Sequence, residues 1–230
     1  MTSDSFTIET SHSTPSNLAI ATFTEHDSGP DTDPHSPFWA GAGSVIAANN
    51  NLGLLVPGHE TKILLQWSLQ NLYLLFVCPY QALNLKPHPD LTRETYELWN
   101  WDVAELFIGA DFQNIRRYKE FEVSPQGEWV DLDVNLDNPP HELGWIWESG
   151  VQVAARIDAA QKVWYGAMRI PWSAIDTRPA AIGNELRVNF YRCQDRAPNL
   201  KLIAWQPTYN PTFHTPDAFG TLKLEDSGTF

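Results

Sequence analysis

The chain has 230 residues, of which 43% are hydrophobic, 12% aromatic and 19% charged. At about 100 to 200 residues per domain this length predicts a single domain with a substantial core, which excludes disorder throughout the chain. Its 28 acidic and 15 basic residues give a formal charge of −13, which repels nucleic-acid phosphates and anionic lipids, so we expect neither a nucleic-acid nor a membrane partner.

The first segment, residues 1–16, is rich in Ser, Thr and acidic residues and is predicted to be an N-terminal tail. It lacks a basic stretch followed by an apolar one, so no export signal is expected in this chain. A cytoplasmic location is the default expectation, with an exported mature form as the alternative. Residues 26–37 concentrate Asp, Ser, Pro and Gly and predict a long loop.

Short strand patterns separated by turn residues fill the rest of the chain. The predicted strands are 17–24, 62–69, 72–78, 101–109, 118–124, 128–136, 151–157, 163–170, 186–193, 202–205 and 218–224. Gln70 and Asn71 suggest a two-residue hairpin turn, and residues 172–176 a single helical turn. This pattern favours an all-β fold, an antiparallel β-sandwich forming one domain over residues 17–226.

The densest cluster of chemically distinctive residues is WNWDVAELFI, residues 99–108. In a strand, side chains alternate between the two faces, so Glu105 shares a face with the large apolar Val103 and Phe107. A carboxylate buried there without a partner costs several kcal/mol. We therefore expect it to be paired, hydrogen-bonded or facing a ligand cleft, and pairing with an Arg such as Arg187 or Arg192 is the favoured interpretation from the residue pattern alone.

Ten tryptophans are many for one chain, and they divide into two groups. Those inside strand patterns are explained by core packing: Trp39, Trp67, Trp164 and Trp205. Those at strand ends or in loops are less easily buried: Trp99, Trp101, Trp145 and Trp147. Exposed flat rings with nearby carboxylates and amides suit sugar recognition, because a pyranose packs its C–H faces on an aromatic ring.

Metal and redox features are weak in the sequence. Asp131, Asp133, Asn135, Asp137 and Glu142 have the spacing of a calcium loop, but Leu136 stands where such a loop needs Gly, so a strand with a polar face is favoured. Calcium bound by oxygens from several loops stays open. Cys78 and Cys193 are predicted to be free and buried, with one disulfide as the alternative. Met168 with a histidine could ligate haem, but its spacing predicts a core residue.

Hydrolase signatures are also sparse. The seven histidines are scattered, and HExxH, GxSxG and GxxxxGK[ST] are absent from the sequence. Glu105 with Glu120 or Glu122 could form a glycosidase pair, which needs carboxyl groups about 5 to 5.5 Å or about 6.5 to 9.5 Å apart. A small glycoside hydrolase is therefore kept as an alternative function.

Five motifs in register carry a family resemblance: WNWDVAELFI (99–108), YKEFEVSPQG (118–127), MRIPW (168–172), RVNFYR (187–192) and AWQPTYNPTFHTPDAFG (204–220). Over about residues 38–224 the chain resembles the family 9 carbohydrate-binding modules, a branch of the DOMON-like, jelly-roll-like sandwiches. The resemblance implies non-catalytic binding of a mono- or oligosaccharide, with its reducing end clamped between two tryptophans. It also implies structural calcium and a separate carbohydrate-active enzyme as partner. A haem-binding DOMON-like domain is the third hypothesis.

Matched motif by motif, the resemblance assigns the ligand-binding residues. Trp99 corresponds to the first clamp tryptophan, Glu105 to the acidic residue of the following strand, and Asn210 to the asparagine of the last loop. The second clamp position holds Phe213, a departure that offers a smaller ring. Glu122 and His214 are placed beside this site. No metal ligands carry over.

Overall fold

The computed structural model describes residues 16–138 and 145–228, which form thirteen strands. The strands are β1 Leu18–Phe23, β2 Gly43–Ala47, β3 Asn49–Asn50, β4 Thr61–Trp67, β5 Asn71–Pro79, β6 Val103–Gly109, β7 Arg117–Val123, β8 Trp129–Asn135, β9 Gln152–Asp158, β10 Val163–Pro171, β11 Glu185–Gln194, β12 Lys201–Ala204 and β13 Gly220–Glu225. A four-residue helix, α1 (Trp172–Ile175), and three short 3₁₀ helices, Pro37–Trp39, Leu98–Asn100 and Pro216–Ala218, complete the regular structure. Across both described ranges, none of the helices is long and apolar enough to cross a lipid bilayer.

The strands follow one hydrogen-bonded order, β8-β7-β6-β11-β13-β1-β4-β5-β10-β9. β2 pairs with β4, while β12 links β11 to β3. Neighbouring strands are antiparallel except at β1, which is parallel to both β13 and β4. The predicted all-β sandwich is thus confirmed, with β1 as a parallel element that the strand spacing did not predict.

The main core lies between the two halves of this strand order. Phe76 of β5 meets Phe190 of β11 edge to face, with ring centroids 6.4 Å apart. Leu106 and Phe121 contribute from β6 and β7, and Met168 from β10. Fully burying side chains of this size stabilises the fold by roughly 1.5 to 3 kcal/mol each before chain entropy is subtracted. Met168 is therefore a core residue, as its spacing predicts.

Two local predictions differ from the structure. Strand β2 was not predicted, because its residues alternate between partly buried and exposed positions at a sheet edge and follow a long Pro-rich loop. The turn between β4 and β5 is of the predicted two-residue type but shifted by one position: Trp67 pairs with Leu72, and the Ser68 N–H donates to the Asn71 carbonyl at 2.9 Å, which leaves residues 69 and 70 in the turn instead of 70 and 71. The Ser68 hydroxyl also accepts the backbone N–H of Asn71 at 3.2 Å, which fixes the turn at this position.

The remaining boundary and cysteine predictions have mixed outcomes. Cys78 and Cys193 are both free and buried, as the favoured interpretation predicts. Helix α1 coincides with the predicted turn at 172–176. The predicted tail lies outside the described residues apart from Ser16, so the domain limits 17–226 stay a prediction.

Candidate functional site

A second apolar layer covers the face of β6, β7, β8 and β11 that points away from the main core. Because side chains alternate along a strand, Phe107, Tyr118 and Tyr191 face this layer while their neighbours fill the core. A cavity of about 550 Å³ opens on it. That volume lies within the range of about 300 to 1,000 Å³ typical of small-ligand sites.

Trp99 forms part of the cavity wall. It lies in the 3₁₀ helix Leu98–Asn100, whose first residue is fully buried and fixes the helix on the apolar layer. Glu97, just before it, has a left-handed backbone (φ 59°), which a non-glycine residue rarely adopts. Trp99 is half-buried and meets Tyr96 edge to face with centroids 5.4 Å apart. Its large ring is thereby fixed at the cavity.

The loop before β13 supplies another part of the wall. Phe213 and His214 both line the cavity, but Asn210 does not. Asn210 instead holds the loop: its backbone carbonyl accepts the Asn51 side-chain amide at 2.7 Å, and its side-chain oxygen accepts the Thr212 N–H at 3.3 Å. The structure therefore gives Asn210 a loop-forming position at the edge of the site.

Phe213 is 8% exposed and stacks on Tyr191, with ring centroids 4.1 Å apart and planes 13° from parallel. One of its faces is therefore covered by protein. Trp145 is also at the cavity, where it meets His214 edge to face. Of the four tryptophans predicted outside the core, Trp99 and Trp145 line this cavity.

Three buried carboxyl groups form the floor. Glu105 of β6 lies directly opposite Glu122 of β7, and Glu120 is two residues earlier on the same face of β7. One carboxylate oxygen from each lies within 4.8 Å of the others. All three residues are at most 3% exposed, and Glu105 and Glu120 line the cavity while Glu122 does not.

The predicted pairing of Glu105 with Arg187 or Arg192 is wrong. Tyr191 is the β11 residue opposite Glu105, so Arg192 points to the other face, where it bonds Thr61. Arg187 donates to the backbone carbonyl of Asp111 at 2.9 Å. The alternation that places Glu105 among apolar residues thus also removes Arg192 from its reach.

Burial dominates the electrostatics of this floor. Desolvation raises the pKa of Glu105, and the neighbouring Glu120 raises it further. Desolvation likewise raises the pKa of Glu120, although His214 opposes the shift. The pKa of Glu122 is raised well above its ordinary value by desolvation and then by the other two carboxyls. At pH values well above the ordinary carboxyl pKa, such buried groups therefore either keep their protons or need a neighbouring cation.

Neighbouring polar groups from two other elements contact the carboxyls. The Cys193 thiol donates to Glu105 at 3.3 Å. His214 Nδ1 is 2.7 Å from the Tyr118 hydroxyl, and its Nε2 is 4.0 Å from Glu120 Oε2. Motif matching assigned no role to Tyr118 or Cys193. Strand alternation could have indicated Tyr118, because it lies on the same face of β7 as Glu120 and Glu122.

The calcium-loop spacing at residues 131–142 does not form a shared site among the described residues. Asp133 pairs with Lys119 at 2.6 Å, and Asp137 pairs with Arg116 at the same distance. Asp131 accepts the Ser149 backbone N–H at 2.8 Å. β8 spans most of the segment, as the strand interpretation predicts, and Glu142 lies outside the described residues.

Sequence comparison connects this chain with known proteins. Residues 146–224, which include the loop carrying Phe213 and His214, match the model of carbohydrate-binding family 9. An extracellular protein of Arthroderma benhamiae is 24% identical over 135 residues, 54% of this chain. The chain spans 60% of the length of that relative.

Solved structures share the fold at low identity. A carbohydrate-binding protein from Bacteroides uniformis, itself assigned provisionally, superposes with a TM-score of 0.71 and 16% identity, covering 90% of this chain and 99% of its own. A family 9 module from Caldicellulosiruptor kristjanssonii bound to cellotriose superposes with a TM-score of 0.66 and 12% identity, and the match covers 91% of this chain and 94% of the module. A family 9 module from the same organism bound to glucose superposes with a TM-score of 0.65 and 11% identity, and the match covers 93% of this chain and 98% of the module. The predicted resemblance is therefore confirmed: residues 146–224 carry the sequence signature of carbohydrate-binding family 9, and the chain has the β-sandwich fold of its modules.

Proposed function

We propose that this protein binds carbohydrate without chemically altering it, in the cavity lined by Trp99, Phe213 and Glu105. The observation that carries the proposal is the convergence of aromatic rings and carboxyl groups in one cavity. Rings provide flat apolar surface for the C–H faces of a sugar, and carboxyl groups bond its hydroxyls. Both kinds of group come from segments that carry the family motifs.

The ligand class follows from the relatives. The family 9 modules of the same fold were solved with glucose and with cellotriose, so glucose and short β-linked glucose oligosaccharides are the first ligands to test. In our proposal the sugar lies against Trp99 and is oriented by Glu105. Because the covered ring of Phe213 offers one face at most, Trp145 supplies additional aromatic surface.

A reducing-end binding mode is the finer part of this proposal. It rests on the family resemblance, which implies that the reducing end of a saccharide is held between two aromatic rings. Glu105 and Glu120 lie on the floor of the cavity, where they would meet the hydroxyls of a terminal sugar.

The test is calorimetric and tryptophan-fluorescence titration with glucose and cellotriose, each beside its reduced alditol and all in chelator. We expect saturable binding to the parent sugars and at least tenfold weaker binding to the alditols. Equal binding of sugar and alditol would reject the reducing-end mode. Absence of binding to every sugar in the panel would reject the proposed function.

The arrangement of the glutamates favours binding over hydrolysis. A glycosidase places two carboxyl groups on either side of the scissile bond. Here all three glutamates project from one face of the adjacent strands β6 and β7, with one oxygen of each within 4.8 Å of the others. No turnover of aryl glycosides is therefore expected from the purified protein. Turnover that is lost in the Glu105→Gln variant would restore the hydrolase alternative.

A further inference from the structure

Within the described chain, the oxygens of Glu122 have no hydrogen-bond donor although the residue is 1% exposed. Glu120 Oε2 is also buried and also has no hydrogen-bond partner among the described residues. Leaving a buried carboxylate without any partner costs several kcal/mol, so native proteins normally pair such groups or place them on a metal. One carboxylate oxygen each of Glu105 and Glu120 lies within 4.8 Å of Glu122, and these groups are acids as well.

We propose that Glu105, Glu120 and Glu122 hold one divalent cation, calcium, at the floor of the cavity. Their carboxylate oxygens lie within 4.8 Å of one another. Two oxygens bound on opposite sides of one Ca²⁺ are about 4.6 to 5.2 Å apart, given metal–oxygen distances of about 2.3 to 2.6 Å. One ion therefore reaches all three groups without a rearrangement of the strands.

The donor set selects calcium among the common divalent ions. All three ligands are carboxylates, and calcium takes six to eight oxygens in flexible geometry. Zinc prefers nitrogen and sulfur ligands at about 2.0 to 2.3 Å in a tetrahedral arrangement. Cys193 and His214 each contact one carboxyl, but among the described residues only the three glutamates have ligand atoms that all lie within 4.8 Å of one another.

Entry and the remaining coordination positions come from the cavity. Glu105 and Glu120 line it, whereas Glu122 does not and lies opposite Glu105 on β7. Three carboxylates leave several of the six to eight oxygen positions of Ca²⁺ unfilled, and water entering through the cavity would fill them. The formal charge of −13 attracts cations to the chain as a whole. The site goes beyond saccharide binding, and its existence does not depend on a sugar.

The test is calorimetric titration of the chelator-treated, dialysed full chain with CaCl₂. We expect one Ca²⁺ per chain and at least tenfold weaker binding in Glu122→Gln, a neutral isostere outside the cavity lining. Glu128→Gln is the matched control, because Glu128 is a fully buried carboxylate that pairs with Lys86 at 3.3 Å, away from this cluster. It should bind Ca²⁺ like the unmodified protein.

Near-ultraviolet circular dichroism in chelator checks that each variant is folded, and Glu120→Gln provides a second variant should Glu122→Gln fail. The proposal is overturned if the unmodified protein binds no Ca²⁺, if both glutamine variants bind it unchanged, or if Zn²⁺ or Mn²⁺ binds more tightly than Ca²⁺. Because the saccharide titrations are run in chelator, failure of the cation site and failure of carbohydrate binding are separate results.

Discussion

Phe213 stacks face to face on Tyr191, with ring centroids 4.1 Å apart, and this contact makes the second clamp position part of the folded core. The ring is 8% exposed, so its removal opens a void beneath the cavity. We expect Phe213→Ala to lower the free energy of unfolding by about 3 to 5 kcal/mol, the usual loss for a buried Phe. Urea unfolding measures this, and a loss under 1 kcal/mol would show that the ring is not packed as described.

Trp99 offers the cleaner test of sugar recognition. It is half-buried at the cavity, anchored through the buried Leu98 beside it, so Trp99→Ala removes the stacking surface while leaving the anchor. We expect glucose and cellotriose binding to be lost and the protein to stay folded, as judged by circular dichroism.

Phe112→Ala is the matched control, since Phe112 is 45% exposed in the loop after β6, at the opposite end of that strand from Trp99. It should bind sugars like the unmodified protein. Unchanged sugar affinity in Trp99→Ala would contradict the proposed site.

Strand periodicity was sufficient to predict most of the fold, because a buried strand such as β5 is an apolar run bounded by turn residues. β2 escaped prediction because a short edge strand buries little. The parallel pairing of β1 is set by contacts distant in sequence, which local alternation does not encode.

The sequence likewise predicted some features of the candidate site and missed others. Alternation correctly placed Glu105 among apolar residues, but its true neighbours depend on strand register, which brings Glu122 opposite it and turns Arg192 away. Motif matching placed Phe213 at the cavity but could not predict its stack on Tyr191. Whether a ring is free or covered is a property of tertiary packing.

The carboxyl cluster predicts an unusual pH dependence of stability in chelator. Because burial raises the pKa values of Glu105, Glu120 and Glu122 above their unfolded values, their favourable contribution is fully present below pH 4.5. It is lost as pH rises through the folded pKa, about 8 for Glu105. We expect the free energy of unfolding to fall by on the order of 3 kcal/mol between pH 5 and pH 8, at about 1.4 kcal/mol per pKa unit.

Glu122→Gln separates this cluster from other titrating groups. The variant should be more stable than the unmodified protein at pH 8, and its free energy of unfolding should fall less between pH 5 and pH 8. Urea unfolding at pH 5, 6.5 and 8 provides the measurement. A stability that rises over this range in both proteins would mean that the three carboxyls are not desolvated together.

The Tyr118 hydroxyl, 2.7 Å from His214 Nδ1, fixes the orientation of an imidazole that faces the cavity. Since Tyr118 is 2% exposed, Tyr118→Phe deletes one hydrogen bond with little change in packing, for an expected loss of about 0.5 to 1.5 kcal/mol of stability. A less restrained His214 should weaken sugar binding several-fold. Tyr165→Phe is the control, because Tyr165 lies beneath Arg156, outside the cavity, and this variant should leave sugar affinity unchanged. Equal sugar affinity in both variants would limit Tyr118 to a structural role and leave His214 without a part in recognition.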